Sequence, residues 1–143
     1  MNSSFLSCTS STQLADFCSM AVPAIWGPFN RSLAFKQFCQ KIIKATQISC
    51  TCIVLSLYYI HRLRSAYPHI TASMGSEIRL FTTALVLSNK YLEDNTFTNK
   101  TWSQVSSIPI NELNIMEMEF LCALEYNLHL PHDQFQQWQT TCQ

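Results

Sequence analysis

The sequence predicts an all-α protein: a five-helix bundle around buried central helices, with one further helix in front. Three observations lead there. Apolar residues recur at helical spacing in segment after segment, two consecutive segments are apolar on nearly every face, and no stretch alternates with the period of a strand. The 143 residues are 48% apolar and 13% charged, which is enough to bury a core. At about 100–200 residues per domain, that length makes a single folded domain.

Residues 1–32 form a Ser/Thr-rich lead with an apolar patch from Leu14 to Trp26, ended by Pro23, Gly27 and Pro28. A short helix is expected there, packed on the bundle or loosely tethered to it. Residues 33–143 carry the bundle itself. From Leu33 to about Thr46, Phe35, Phe38, Cys39, Ile42 and Ile43 recur at helical spacing, with Lys36, Lys41 and Lys44 mostly off that face. This is an amphipathic helix. From about Ile48 to Arg64, Ile53, Val54, Leu55, Leu57, Tyr58, Tyr59, Ile60 and Leu63 leave almost no polar face. A helix that is apolar all round must be buried all round. Tyr67-Pro68 ends it, because proline disfavours helix at the residue before it.

A second such helix follows Gly75-Ser76, with Ile78, Leu80, Phe81, Ala84, Leu85, Val86, Leu87, Tyr91 and Leu92. Two helices that need cover on every side cannot form a simple hairpin, so others must wrap them. Thr101-Trp102-Ser103-Gln104 has the spacing of a capping box and predicts the start of a short helix. After Pro109, Asn111 can cap a long helix whose Leu113, Met116, Phe120, Leu121, Leu124 and Leu128 form one stripe. Pro131 interrupts, and Asp133 can cap a last helix holding Phe135 and Trp138.

Charge and cysteine usage narrow the function. The formal net charge is zero, which removes the electrostatic case for nucleic acid, where several phosphates must be neutralised. The charge is unevenly spread: up to residue 64, Arg31, Lys36, Lys41, Lys44, Arg62 and Arg64 face the single acid Asp16. The seven cysteines, at 8, 18, 39, 50, 52, 122 and 142, include no CxxC pair. They fit neither a disulfide scaffold nor a zinc site. Cys39, Cys50, Cys52 and Cys122 lie in apolar helical surroundings, where cysteine packs as a small hydrophobe. A reducing, intracellular compartment is expected. The N-terminus lacks the basic start and apolar core of a signal peptide. The longest apolar stretch, Cys50 to Ile60, is too short for a bilayer span of about 20 residues, so no membrane contact is expected. The Asn-x-Ser/Thr triplets at Asn2, Asn30 and Asn99 read as chance matches.

No constellation for catalysis emerges. His61, His69, His129 and His132 are scattered and lack metal-ligand spacing. Glu117 and Glu119 sit two apart on one helix and do not face each other. With only Gly27 and Gly75 there is no glycine-rich phosphate loop. No cofactor and no metal are expected, and the chain reads as a non-enzyme. One residue stands out. Lys90 lies in an otherwise apolar helix, and a lysine there snorkels to solvent or meets an acid or a carbonyl.

The run from Gly75 to Leu130, GSEIRLFTTALVLSNKYLEDNTFTNKTWSQVSSIPINELNIMEMEFLCALEYNLHL, resembles the cyclin box of the fungal Pcl-type cyclins, above all those tied to the G1 phase. NKYLEDNTFTNKTW, NIMEMEFL and the earlier LSLYYIHRLR carry the likeness, which extends over about residues 33–139. The resemblance implies a single cyclin box over residues 33–143 and a heterodimer with a cyclin-dependent protein kinase. Such a subunit activates the kinase by holding its regulatory helix inward, for G1 or phosphate control. By position, Lys90 in NKYLED is similar to the cyclin-box lysine and Glu117 in IMEMEFL to its glutamate partner. Tyr91, Leu121 and Tyr126 are similar to the apolar contacts beside them. His61 stands where cell-cycle cyclins carry Asp, and residues 33–43 offer no arginine to pair with it, as suits the Pcl type. The substrate-docking phrase of cell-cycle cyclins is not legible. A chain ending after one box, with few flanking residues, is expected to lack regulatory or degradation segments. The alternative reading is a cyclin-fold scaffold that binds a protein without activating a kinase.

Overall fold

The computed structural model describes residues 11–26, 33–67 and 77–142. Among them every regular element is a helix: α1 (Ser11–Trp26), α2 (Leu33–Thr46), α3 (Cys50–Ala66), α4 (Glu77–Leu92), α5 (Asn99–Ser106), α6 (Ile110–Ala123) and α7 (His132–Cys142). Helices α2 to α6 form the expected five-helix bundle, with α1 packed on α2 and α3, and α7 lying on α3. Cys8, Pro68, Gly75-Ser76, the Asn2 and Asn30 triplets, and the expected boundary at residue 32 fall outside the described residues.

The two central helices behave as their composition requires. In α4 every residue from Leu80 to Asn89 is buried, and in α3 every residue from Cys52 to Leu57. Their polar side chains are satisfied locally. Thr82 and Thr83 donate to the carbonyls of Ile78 and Arg79, Ser56 donates to Ile53, and Ser88 to Leu85. Back-bonding of this kind lets a hydroxyl enter the core without an unpaired group. Across the pair, the Cys52 thiol reaches the Ser88 carbonyl at 3.5 Å. Tyr59 is buried but sends its hydroxyl 2.7 Å to the Leu128 carbonyl, tying the segment after α6 to the core.

Helix α1 is an integral layer, not a tether. Its Leu14, Ala15, Cys18, Val22 and Trp26 are buried in the common core. The helix also runs through Pro23, where the sequence predicts an end. An internal proline forfeits one backbone bond and crowds the carbonyl four residues back. Burial of Val22 before it and Trp26 after it, each worth about 1.5–3 kcal/mol, holds the turn in place. Arg64 at the end of α3 stacks 5.2 Å over the Trp26 ring and secures that corner.

Four other boundaries differ from expectation, one of them the start of α7, which begins at His132 so that Asp133 lies inside its first turn. Helix α5 begins three residues earlier than its capping-box spacing predicts: Thr98 is the N-cap, and its hydroxyl accepts from the Thr101 amide. Helix α6 begins at Ile110 behind Pro109, so Asn111 lies in the first turn and accepts from the Glu112 amide. It stops at Ala123, before Leu128, because Glu125 and Tyr126 are both left-handed, with φ of 57° and 58°. Two such non-glycine residues cost about 1–3 kcal/mol each. The Arg62 guanidinium holds the turn by donating to the carbonyls of Leu124 and Asn127 at 3.2 and 2.6 Å. Cys122, expected among apolar neighbours, is exposed on the outer face of α6, and Cys50 is half-buried.

Two stability tests follow from this packing. Val22→Ala is expected to cost about 2 kcal/mol, two buried methyl groups plus a cavity, read as a lower urea midpoint; a tethered helix would leave the midpoint unchanged. Burial, and secondarily the charge of Glu93, pushes the Cys52 thiol up from 9.0 to about 12, and burial raises Cys18 and Cys39 too. These groups are protonated in both states below pH 9, so their stabilising contribution is complete there. It is lost as pH rises from about 9 towards 12, where unfolded thiols ionise and folded ones do not, at ~1.4 kcal/mol per pH unit per thiol. Denaturation in reducing buffer should show that decline, and Cys52→Ala should lower its slope by one thiol's share.

Candidate functional site

The site lies where α4 leaves the core. Up to Asn89 the helix is buried; at Lys90, Tyr91 and Leu92 it emerges, and Tyr91 and Leu92 are 44% and 42% exposed. The chain must then turn back to reach α5, and Asn89 organises that turn. Only 1% exposed, it accepts from the Phe97 amide at 3.1 Å through its side-chain oxygen. Its amide group lies 3.4 Å from the Asn95 carbonyl. Phe97 is anchored edge-on against Trp102, with ring centroids 5.7 Å apart, and Thr98 caps α5. The first residue of that helix, Asn99, is thereby delivered beside Lys90.

Four polar side chains from three helices meet there. The Lys90 ammonium lies 2.9 Å from Glu117 Oε2 on α6 and 2.8 Å from Asn99 Oδ1. The Asn99 amide donates to Glu117 Oε1 at 2.8 Å and to Asn114 Oδ1 at 2.7 Å. The side chains of Lys90 and Glu117 are 37% and 17% exposed, so the pair sits at the rim and not in the core. The nitrogen a glycan would need at Asn99 is thus engaged in two hydrogen bonds.

The other expected residues make their contacts elsewhere. Tyr91 directs its hydroxyl to His129 Nδ1 at 3.0 Å. Leu121 is half-buried and packs on the core. Tyr126 is 62% exposed, held outward by its left-handed backbone. Its hydroxyl rests 3.4 Å from the Met118 sulfur and 3.3 Å from the Cys122 thiol, a contact that raises the phenol above its ordinary pKa. Ile115 and Met118 are also exposed on α6, so that helix offers an apolar strip. Sequence reasoning missed Asn99, Asn114 and His129. The recurrence of Asn at 89, 95 and 99, at the end of α4, in the loop and at the start of α5, was the available signal.

Among the described residues no group of three or more His, Cys, Asp and Glu side chains is placed to hold a metal. No described helix is long and apolar enough to cross a membrane. His61 stacks on Trp138 at 5.0 Å, while Cys39 is buried with its thiol pushed up by that burial.

The described residues thus form an all-α bundle with a partly exposed ion pair at its rim. The cyclin family model matches residues 2–128, and the chain belongs to the cyclin family. It is similar to fungal members. It is 31% identical to the G1/S-specific cyclin pas1 of Schizosaccharomyces pombe over 112 residues, 76% of this chain and 27% of that protein. It is 32% identical to PHO85 cyclin-5 of Saccharomyces cerevisiae over 109 residues, 73% of this chain and 48% of the relative. PHO85 cyclin PHO80 of the same yeast is 31% identical over 93 residues, 65% of this chain and 31% of that one. The chain therefore spans between about a quarter and a half of the length of these relatives.

The pair should matter little to folding. Glu117→Gln is expected to move the urea midpoint by less than about 1 kcal/mol in stability, as for a partly solvated ion pair. A larger loss would make Lys90–Glu117 a structural bridge.

Proposed function

We propose that this chain is a regulatory subunit of a cyclin-dependent serine/threonine protein kinase, and that it docks the kinase through the rim at Lys90 and Glu117. The observation that carries the reading is that partly exposed ion pair in a chain of the cyclin family; Tyr91, Leu121 and Tyr126 are proposed to add contacts. An ammonium and a carboxylate fixed side by side offer a donor and an acceptor to main-chain groups of a partner. The exposed tyrosines and the apolar strip of α6 supply contact area around them. The subunit contributes no catalytic group. It stabilises the kinase conformation in which the Lys–Glu pair and the metal site needed for phosphoryl transfer are assembled. The names of the relatives support a PHO85-type kinase as partner and a role in G1; phosphate control is the alternative setting that the family resemblance implies. The proposal places the complex in nucleus and cytoplasm, reducing compartments that suit the buried thiols of Cys18, Cys39 and Cys52.

The test is binding and activation of a purified PHO85-type kinase. The chain is expected to bind it and stimulate substrate phosphorylation, and Lys90→Ala/Glu117→Ala to weaken binding by at least about thirtyfold, as for the centre of an interface. Binding without stimulation would favour a scaffold, and absence of binding would overturn the reading.

A further inference from the structure

An ion pair at a protein surface is an uncertain docking element. Two long side chains in water sample many rotamers, and each must be ordered when a partner arrives. The surroundings of Lys90 and Glu117 remove that disorder beforehand. The carboxamide of Asn99 touches both: its oxygen takes one ammonium proton of Lys90 and its nitrogen gives a proton to Glu117 Oε1. The second amide proton goes to Asn114 Oδ1, which fixes the plane of the carboxamide from the α6 side.

We propose that Asn99 is the positioning residue of the docking pair, and that its bridge, not the pair alone, sets the affinity for the kinase. The inference rests on the docking role of Lys90 and Glu117 proposed above. Counting donors and acceptors shows what the bridge accomplishes. Lys90 has three N–H groups; Asn99 and Glu117 take two, and the third has no partner among the described residues. Each Glu117 oxygen accepts one bond from within the chain and keeps a lone pair. The Asn114 amide N–H groups likewise have no partner among the described residues. The net therefore presents donors and acceptors together, at fixed positions, to a partner that offers main-chain N–H and C=O groups. A carboxylate at position 99 could not do this, because it has no proton for Glu117 and would add a like charge beside it.

A purely structural role for Asn99 fits less well. The helix start at this position is already capped by Thr98. The preceding loop is held by Asn89 and by the Phe97–Trp102 contact. Asn99 is itself only half-buried. Its side chain is thus available to serve the pair, and the loop sequence from Asn89 to Thr98 is what brings it there.

The experiment measures binding of the intact chain to a purified PHO85-type kinase for wild type, Lys90→Ala/Glu117→Ala, Asn99→Ala, Asn99→Asp, and Asn99→Ala combined with Lys90→Ala. Asn99→Ala is expected to bind about tenfold more weakly, because Lys90 and Glu117 both lose the carboxamide that orders them. Its melting temperature should stay at the wild-type value. Asn99→Asp, nearly the same shape, should bind at least as weakly. In the Lys90→Ala background the Asn99 change should cost less than in the wild type, because one of the two groups it positions is gone. In the free protein, hydrogen exchange of the Lys90 ammonium by NMR should quicken in Asn99→Ala. Wild-type affinity for Asn99→Ala, or full additivity with Lys90→Ala, would overturn the positioning role while leaving the docking pair intact. If the wild type bound and the Lys90/Glu117 double variant bound equally well, the docking reading would fall, and this inference with it.

Discussion

Helices α3 and α4 lie against each other with apolar side chains on nearly every face, and neither can meet water along its middle. That constraint organises the molecule. Ten consecutive residues of α4, Leu80 to Asn89, are buried, which requires neighbours on all sides; α2, α5 and α6 provide them, with α1 and α7 completing the cover of α3. A helix buried all round can be functional only at its ends. The polar chemistry of this protein collects at the C-terminal end of α4, in the first residue past the core.

This arrangement explains how one lysine can sit in so apolar a helix. Lys90 follows directly on Asn89, the last buried position, so its stem leaves the core as its ammonium meets Glu117 and Asn99. A pair deeper in the bundle would carry a desolvation penalty of several kcal/mol per ion. A pair farther out would be screened and disordered. At the rim, with the Lys90 and Glu117 side chains 37% and 17% exposed, the two groups lie in contact and still reach the molecular surface.

The bundle was legible because burial leaves a periodic trace: the amphipathic face of α2 and the all-apolar runs of α3 and α4 can each be read residue by residue. Lys90 and Glu117 were legible through likeness to a family, and their geometry brings them within 2.9 Å. What the sequence concealed has local causes. Thr98 and Thr101 are both plausible caps, and the choice between them depends on the loop held by Asn89, a contact eight residues away in sequence. The end of α6 depends on Arg62, whose guanidinium holds Leu124 and Asn127 across the fold. No pattern within residues 110–128 announces two successive left-handed residues. Asn99 resembled a stray glycosylation triplet because its partners, 9 to 18 residues away, come from two other helices.

The same dependence separates stability from recognition. Side chains that set the fold, such as Leu85, Phe120 and Tyr59, are fully enclosed and contribute nothing directly to a partner. Those that face outward at the rim, Tyr91, Met118 and Tyr126, bury little within the chain and so cost little to change. Between the two classes stands Asn89. It is buried like a core residue, yet both its hydrogen bonds go to the loop that carries Asn99. Its influence on recognition therefore passes through backbone geometry. A shift of that loop by one angstrom would stretch the 2.8 Å contacts of Asn99 to both charges at once, and hydrogen bonds weaken quickly beyond that range. The proposed docking surface is in this sense an extension of the core: the buried asparagine fixes the loop, the loop fixes the carboxamide, and the carboxamide fixes the ion pair.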